Sequence, residues 1–286
     1  MLNMMTRSDN ERLAHFKEIA RCPVMADCLN SRDPSSACAS VVLSQWQHRT
    51  SQNSDARIEN WKDWHQLPEP WVGHLDRAPI LFVSSNPSIS NPVPRNFRTA
   101  SPPAGRVTAR WKNDKIIRRF ERAFDDYMDD GVRFRGEKGV VRYWASVKQR
   151  AIELLPKSDL EPGVDYALTE VVRCKTLSEW GVGSAVQECA PRYLQTTLEQ
   201  SPAVVIVSLG AHARRALVRM FDVDPATIGG RAPTGWEEAG VTSINVAGAN
   251  RLLAFLPHPN ARKPPKTFDK NLKPGQLRRL RNRLDT

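Results

Sequence analysis

Short apolar runs alternate with amphipathic segments along most of the chain. The apolar runs are PILFVSS (79–85), YALTEVVRC (166–174), AVVIVSLG (203–210) and RLLAFLPH (251–258). Because these runs are short, rich in branched side chains and apolar at successive positions, they are typical of strands buried on both faces of a parallel sheet.

Segments with the helical spacing of apolar residues separate these runs. They cover residues 115–128, 141–155, 184–200 and 211–221, and a further helix is predicted over Asn10–Ala20. Strands that alternate with helices indicate an α/β fold. We therefore expect a three-layer α/β/α sandwich around a central parallel sheet of about four strands.

The first 75 residues are more polar than the rest. They contain Cys22, Cys28 and Cys38, and the Trp-rich segment WKDWHQLPEPW (61–71). We interpret residues 1–75 as an N-terminal extension that wraps the core, and residues 76–286 as the α/β domain. A chain of 286 residues with 40% hydrophobic content is long enough to bury the hydrophobic core of such a domain.

The sequence also bears on location. No apolar run reaches the roughly 18 residues that span a bilayer, and the N-terminus lacks the apolar region of a signal peptide. We expect a cytoplasmic monomer with no membrane partner. In a reducing compartment, its five cysteines indicate metal binding, a reactive thiol or plain burial instead of disulfides.

The charge balance points to polyanionic partners. The chain has 42 Lys and Arg against 31 Asp and Glu, a net charge of +11. Such an excess favours nucleic acid, although a soluble basic protein is the alternative interpretation. The chain contains no P-loop, no Gly-x-Gly-x-x-Gly after a strand and no Gly-x-Ser-x-Gly elbow, which argues against nucleotide-binding and serine-hydrolase classes.

Polar residues follow each predicted strand, where open α/β sheets bind their ligands. They lie in SSNPSIS (84–90), in Thr169-Glu170, in SLGAHA (208–213) and in PHPNARK (257–263). The first is followed by a Pro-, Ser- and Arg-rich stretch up to residue 113, which is longer than an ordinary loop of this type. Loops of this length are usually functional or disordered.

In order and placement these motifs resemble the uracil-DNA glycosylase superfamily. Its members have a first motif ending in Asn-Pro or Asp-Pro, a middle strand with a base-reading polar residue, and a late His-Pro motif. The resemblance extends over residues 79–266 and includes the segment CAPRYLQTTLEQSPAVVIVSLGAHA (189–213). It implies a monofunctional DNA glycosylase that flips a nucleotide from double- or single-stranded DNA and hydrolyses its N-glycosidic bond.

The resemblance assigns catalytic roles to two residues. Asn86 would position the hydrolytic water, and because an amide is not a strong base the site would depend on activation of the leaving group. His258 would donate a hydrogen bond to O2 of the departing base. The alternatives are that Asn86 only closes an Asn-Pro turn and that His258 only binds a backbone carbonyl.

Other residues would contact the base and the DNA. Ser88 is small where some relatives have a tyrosine that excludes substituents at C5. Phe97 is the candidate for stacking on the flipped base, with Trp111 and Trp180 as further aromatics. Three cations follow His258 and are candidates for DNA binding: Arg262, Lys263 and Lys266. Arg262 stands where relatives place an apolar wedge, so it would stack on bases or bind phosphate instead.

Glu170 stands where the family usually has Asn after Thr. An ionised carboxylate accepts hydrogen bonds but cannot donate one, so it would repel O4 of uracil and suit the N4 amino group of cytosine. With Ser88, this indicates a cytosine-like or 5-modified cytosine base. Such bases are more typical of bacteriophage genomes, which suggests a defence role. The alternative is that Glu170 pairs with Arg173 or another nearby cation.

The cysteines form a further constellation. Cys174 and Cys189 have a spacing similar to that of relatives that hold a [4Fe–4S] cluster, and the resemblance implies such a cluster on four of the five cysteines, with Cys22, Cys28 and Cys38 supplying the rest. No close Cys-x-x-Cys pair is present, so the N-terminal ligands stay open. Buried free thiols are the alternative.

Two other functions stay open at this point. One is a uracil-DNA glycosylase of base excision repair, in which Glu170 would be protonated and would donate to O4. The other is a non-catalytic binder of modified DNA. A binder would shift the mobility of DNA in a salt-dependent way without leaving abasic sites.

Overall fold

The chain forms two compact units. A computed structural model describes residues 7–31, 35–50, 68–87, 120–136, 138–176, 178–232, 235–262 and 266–286. The first unit, here called the cysteine unit, comprises Met1–Pro70, Asn86–Phe120 and Glu170–Gln200. The second, the sheet unit, comprises Trp71–Ser85, Glu121–Thr169 and Ser201–Thr286. The division at residue 75 stays a prediction.

The described chain begins with three consecutive helices, and four consecutive strands precede its last two helices. The helices are α1 (Arg7–Ala20), α2 (Pro23–Ser31), α3 (Ala39–Thr50), α4 (Ala123–Tyr127), α5 (Arg142–Leu154), α6 (Val182–Glu199), α7 (Ala211–Phe221), α8 (Phe268–Asn271) and α9 (Gln276–Leu284). The strands are β1 (Trp71–Val72), β2 (Ile80–Ser84), β3 (Met128–Asp129), β4 (Arg133–Phe134), β5 (Tyr166–Glu170), β6 (Val205–Leu209), β7 (Gly230–Ala232), β8 (Gly235–Glu237), β9 (Val241–Val246) and β10 (Ala249–Leu256).

The central sheet has six strands in the order β1-β5-β2-β6-β10-β9. Strands β2 and β10 run parallel to β6 on either side of it, with Leu81 and Leu253 both opposite Ile206. The two edge strands are antiparallel to their neighbours. The α/β class is confirmed, whereas the expected number of about four strands is too low because the antiparallel edge strands β1 and β9 complete the sheet.

The core lies on both sides of the central strands. All residues of β2 and β6 are buried, as continuous apolar runs require, because each face of these strands is covered. Helix α7 packs against both strands and buries Ala213, Ala216 and Leu217. The apolar side chains of residues 211–221 therefore face the sheet, as their helical spacing predicts.

Helix α9 covers the outer edge strand. The guanidinium of Arg279 donates to the carbonyl of Val241 at 2.6 Å and to the hydroxyl of Ser243 at 2.9 Å. The side chain of Gln276 accepts from the amide of Val241 at 3.3 Å. Leu280 of the same helix is fully buried, and the helix packs against α5 and β6.

Two sequence-based boundaries are corrected. The helix expected over residues 115–128 ends earlier, because Met128 already belongs to the β3–β4 hairpin; residues 115–119 lie outside the described ones. The strand expected over residues 166–174 ends at Glu170. No described helix is long and apolar enough to cross a membrane.

Candidate functional site

The sheet unit brings several strand ends to one edge. Strands β2, β6 and β10 are parallel, so their carboxyl ends lie at the same edge of the sheet. Ser85 follows β2, Gly210 follows β6, and His258 follows β10 after one intervening proline. This is the edge at which open α/β sheets bind ligands.

Gly210 allows His258 to approach the sheet closely. Its amide donates to the carbonyl of Leu256 at 2.9 Å, which ties the ends of β6 and β10 together. A Cβ at position 210 would lie 3.0 Å from the Cβ of His258. The backbone of Gly210 has φ 89° and ψ 177°, a conformation that is essentially restricted to glycine. Both steric constraints require glycine here.

The surroundings of His258 fix the position of its ring proton. The amide of Asn260 donates to Nδ1 at 3.2 Å, so Nδ1 is the acceptor and a neutral ring carries its proton on Nε2. The ring stacks on Tyr143 with 5.6 Å between centroids and 23° between planes. The Nε2–H group is thereby oriented as a hydrogen-bond donor.

Asn86 lies in the cysteine unit and is 9% exposed. Its Nδ2 donates to the carbonyl of Pro87 at 2.9 Å and to that of Cys174 at 3.4 Å. With both amide hydrogens directed at backbone carbonyls, Oδ1 is the atom that can accept a hydrogen bond from water. These two bonds stabilise the Asn-Pro turn, as the turn-closing alternative predicts. They do not involve Oδ1, so this atom can still position a water.

Glu170 ends β5 and is half-buried. Its carboxylate interacts electrostatically with the guanidinium of Arg173. This interaction agrees with the alternative in which Glu170 pairs with Arg173. A carboxylate has two oxygens with about four acceptor sites, so the same group retains capacity to accept from a base.

Arg173 is a buried cation in the same unit. It is 1% exposed, and its guanidinium donates to the carbonyl of Pro70 at 2.5 Å and to the hydroxyl of Thr197 at 2.8 Å. Burial lowers the pKa of Arg173 to about 10. The side chain therefore stays charged at neutral pH, and a buried charge needs anionic compensation nearby.

Four of the five cysteines line one small cavity of the cysteine unit. They come from the start of α2, from the residues before α3, from the segment after β5 and from α6: Cys22, Cys38, Cys174 and Cys189. Apolar side chains, Tyr193 and three charged residues complete the lining; the charged residues are Arg173, Glu188 and Arg192. Cys28 is outside this lining, and the hydroxyl of Ser36 forms a hydrogen bond with its thiol.

These cysteines are free thiols. Burial raises the pKa of Cys174 well above its usual value, and Cys189, Cys22, Cys38 and Cys28 raise it further. Burial also raises the pKa of Cys189 to about 11, although the positive charge of Arg173 opposes this effect. The amide of Arg173 also donates to the sulfur of Cys189 at 3.4 Å.

Four cysteines around one cavity supply the number of thiolates that a [4Fe–4S] cluster would require. Among the described residues, no three His, Cys, Asp or Glu side chains are placed to hold one metal ion. A cubane cluster separates its four sulfur ligands more widely than a single ion does, and it needs four thiolates in a largely apolar pocket. The cluster with its thiolates is anionic, so the guanidinium of Arg173 would complement its charge.

The structure describes only some of the candidate residues for DNA binding. Arg262 is exposed and Lys266 is half-buried, and the guanidinium of Arg150 donates to the carbonyl of Lys266. Three other predicted residues, Ser88, Phe97 and Lys263, lie outside the described residues, as does Trp111.

Three important residues were not singled out as functional from the sequence. Tyr143 lies in a segment interpreted only as an amphipathic helix, and nothing in its spacing distinguishes it from core aromatics. Gly210 was noted only as part of SLGAHA, although a glycine directly after a buried strand is a recognisable signal of close approach. Arg173 appeared only as a partner for Glu170, since burial of an arginine cannot be read from a single sequence.

The predicted residues divide between the units. Asn86, Glu170 and the cysteines belong to the cysteine unit, and His258, Arg262 and Lys266 belong to the sheet unit. Searches of protein-family models and of curated proteins found no match to this chain.

Proposed function

We propose that this protein is a monofunctional DNA N-glycosylase of the uracil-DNA glycosylase superfamily. The observation that supports this most is the state of His258. Its Nδ1 accepts a backbone hydrogen bond at the carboxyl edge of a parallel sheet, so the donor nitrogen of a neutral ring is Nε2. A neutral imidazole donor is the group that can stabilise a departing base without first transferring a proton.

In the proposed reaction the bond between C1′ of the sugar and the base nitrogen breaks. The bonding electrons move to the base, and His258 stabilises the charge that develops on its O2 atom. Asn86 holds a water through Oδ1, and the water oxygen forms the new bond to C1′. The water gives up a proton to solvent and the base takes one up, so hydrolysis leaves an abasic site and a free base.

Within this proposal, Glu170 selects the base. Its carboxylate would accept from the N4 amino group of a cytosine-like base, while Arg173 keeps a compensating positive charge near it. Uracil presents an oxygen at the same position and would be repelled. We propose cytosine or a cytosine modified at C5 as the substrate, with defence against modified phage DNA as the biological role.

The proposed cofactor is a [4Fe–4S] cluster on Cys22, Cys38, Cys174 and Cys189. When bound, such a cluster would supply a structural cross-link, since hydrolysis needs no redox step. Cys174 would join this cross-link to the site, because its carbonyl accepts from the side chain of Asn86. The lining of the cavity favours Cys22 and Cys38 over Cys28 as the N-terminal ligands.

Activity is tested on duplexes that contain uracil, cytosine, 5-hydroxymethylcytosine or glucosylated 5-hydroxymethylcytosine. Alkali then cleaves any abasic site. We expect strand breaks at a cytosine derivative, and a loss of about 100-fold or more in His258→Ala. His212→Ala serves as the matched control, because His212 lies on α7 and has no role in the proposal; its rate should equal the wild type.

Other outcomes separate the alternatives. Strand breaks at uracil alone would support the proposed family but contradict the proposed role of Glu170 in selecting the base. Binding to modified DNA without any breaks would favour the non-catalytic binder. A Glu170→Asn variant adds a direct check, because base preference should move towards uracil; an unchanged preference would show that the carboxylate does not read the base.

The cofactor is tested by iron and sulfide analysis of protein purified without oxygen. We expect about four irons per chain and broad visible absorption that is lost in Cys22→Ser, Cys38→Ser, Cys174→Ser and Cys189→Ser. Cys28→Ser is the matched control and should keep its iron. Loss of iron in Cys28→Ser with retention in Cys38→Ser would show that the ligand set is wrong.

A further inference from the structure

The short segment between β5 and α6 exposes a tryptophan. Trp180 is 65% exposed, and among the described residues the other exposed large apolar side chain is Val140 at 47%. Indole has a large apolar surface, so its exposure is unfavourable unless a partner covers it. The partner must be inferred from the way this segment is built.

The backbone of the segment is strained. Ser178 and Glu179 are consecutive residues with φ of 51° and 59°, in the left-handed region. This backbone conformation is unfavourable for residues other than glycine. Strain of this kind persists only where neighbouring contacts impose it, and it is concentrated at functional sites.

Contacts fix both ends of the segment within the cysteine unit. The hydroxyl of Thr176 donates to the carbonyl of Trp180 at 3.1 Å. Gly181 packs so closely on the start of α3 that a Cβ there would lie 2.6 Å from the Cβ of Ser40. These contacts hold the backbone of Trp180 and Gly181 in place within the cysteine unit.

The segment is also tied to the turn that carries Asn86. The carbonyl of Pro87 accepts from the amide of Thr176 at 3.2 Å and from the side chain of Asn86 at 2.9 Å. One carbonyl thus joins the proposed water-positioning residue to the segment that presents Trp180. The backbone that carries Trp180 is therefore linked through Thr176 to the turn that carries Asn86.

We propose that Trp180 stacks on an unpaired base of the bound DNA, next to the extruded nucleotide. This inference rests on the proposed function and assigns a stacking residue in place of an apolar wedge at Arg262. The exposed indole of Trp180, on a chain of net charge +11, matches the combination of aromatic stacking and phosphate attraction by which proteins bind single-stranded DNA. A protein partner would instead require a contiguous apolar patch.

The test measures affinity for a duplex with a stable abasic-site analogue, in which one base is already unpaired. At constant salt, Trp180→Ala should bind about 5- to 100-fold more weakly, because stacking on one base contributes about that factor. Trp180→Phe should retain most of the affinity, since it keeps an aromatic face. Val140→Ala is the matched control for removing an exposed apolar side chain and should bind as the wild type does.

The salt dependence provides a second measurement. Because stacking releases no counterions, Trp180→Ala should keep the wild-type slope of affinity against salt while losing affinity at every salt concentration. Equal affinity of Trp180→Ala and wild type would overturn the role of Trp180 and leave the glycosylase proposal standing. Failure of the wild type to bind any DNA would reject both. Circular dichroism of each variant confirms that it is folded.

Discussion

At the scale of the residue, His15 has no part in the proposed chemistry but affects stability. It is 2% exposed in the cysteine unit, and its Nε2 lies 2.9 Å from the hydroxyl of Thr197, which also accepts from Arg173. Burial, and then the charge of Arg173, lowers the pKa of His15 to about 4. The exposed carboxylate of Glu18 lies 3.6 Å from Nδ1 and does not offset this effect.

The lowered pKa makes stability depend on pH. Between about pH 6.5 and 4 the unfolded chain binds a proton on this histidine and the folded chain does not, so the free energy of unfolding falls as the pH falls. The loss is on the order of 3 kcal/mol across this range. Urea unfolding of wild type and His15→Gln at several pH values measures it. The variant should show a shallower fall, and parallel curves would contradict the assignment.

Asn86 leads to a second prediction at this scale. Its Nδ2 donates to two backbone carbonyls, and Asn86→Asp would place a carboxylate oxygen against them. We expect the free energy of unfolding to fall by about 1 to 3 kcal/mol, because two acceptors would then face each other in a buried position. Thermal unfolding at neutral pH measures the change. An unaltered melting temperature would show that the amide does not make these bonds.

At the scale of the element, the sequence predicted the interior of the sheet well. The helix over 211–221 has the predicted bounds, and the four apolar runs all contain strands. These elements are strongly periodic or continuously apolar, so their pattern is decisive. Strand β9 was missed because VTSINV alternates polar and apolar residues over only six positions, and its turn at Gly248 was not recognised.

The candidate site was predictable only where it follows strand ends. Asn86 and His258 are polar residues directly after buried runs, so their positions can be read from the sequence. The arrangement of the cysteines could not be read from the sequence. Helices α2 and α3 bring Cys22 and Cys38 to the cavity, and both helices lie in a segment interpreted from the sequence only as a polar extension. Tertiary packing, which local pattern does not encode, places Cys22 and Cys38 in the lining of the cavity and Cys28 outside it.

Gly210 provides a prediction for the junction between β6 and α7. Gly210→Ala should lower the free energy of unfolding by about 1 to 3 kcal/mol because of the unfavourable backbone conformation, and it should also slow excision because the new methyl group displaces His258. Gly248→Ala is the matched control, since its φ is 84° and a Cβ there meets nothing within 4 Å. Equal excision rates in the two variants would show that the spacing between Gly210 and His258 is not important.

At the scale of the whole molecule, the net charge of +11 predicts strong salt dependence of DNA binding. A protein that neutralises three phosphates loses about 40-fold in affinity between 50 and 200 mM salt. Arg262→Gln and Lys266→Gln should each reduce the slope of log affinity against log salt by about one. Lys138→Gln removes an exposed cation at another position and should leave the slope unchanged, whereas equal slopes in all variants would reject a phosphate contact at Arg262 and Lys266.

The cover that α9 provides for β9 has a consequence for association between molecules. A strand at the end of a sheet can pair with a second chain through its unpaired amides and carbonyls. Here the side chain of Gln276 binds the backbone amide of Val241, and the side chain of Arg279 binds its carbonyl. A chain shortened before Gly275 would uncover this edge, and we expect it to form aggregates through edge-to-edge pairing even where the sheet itself stays folded.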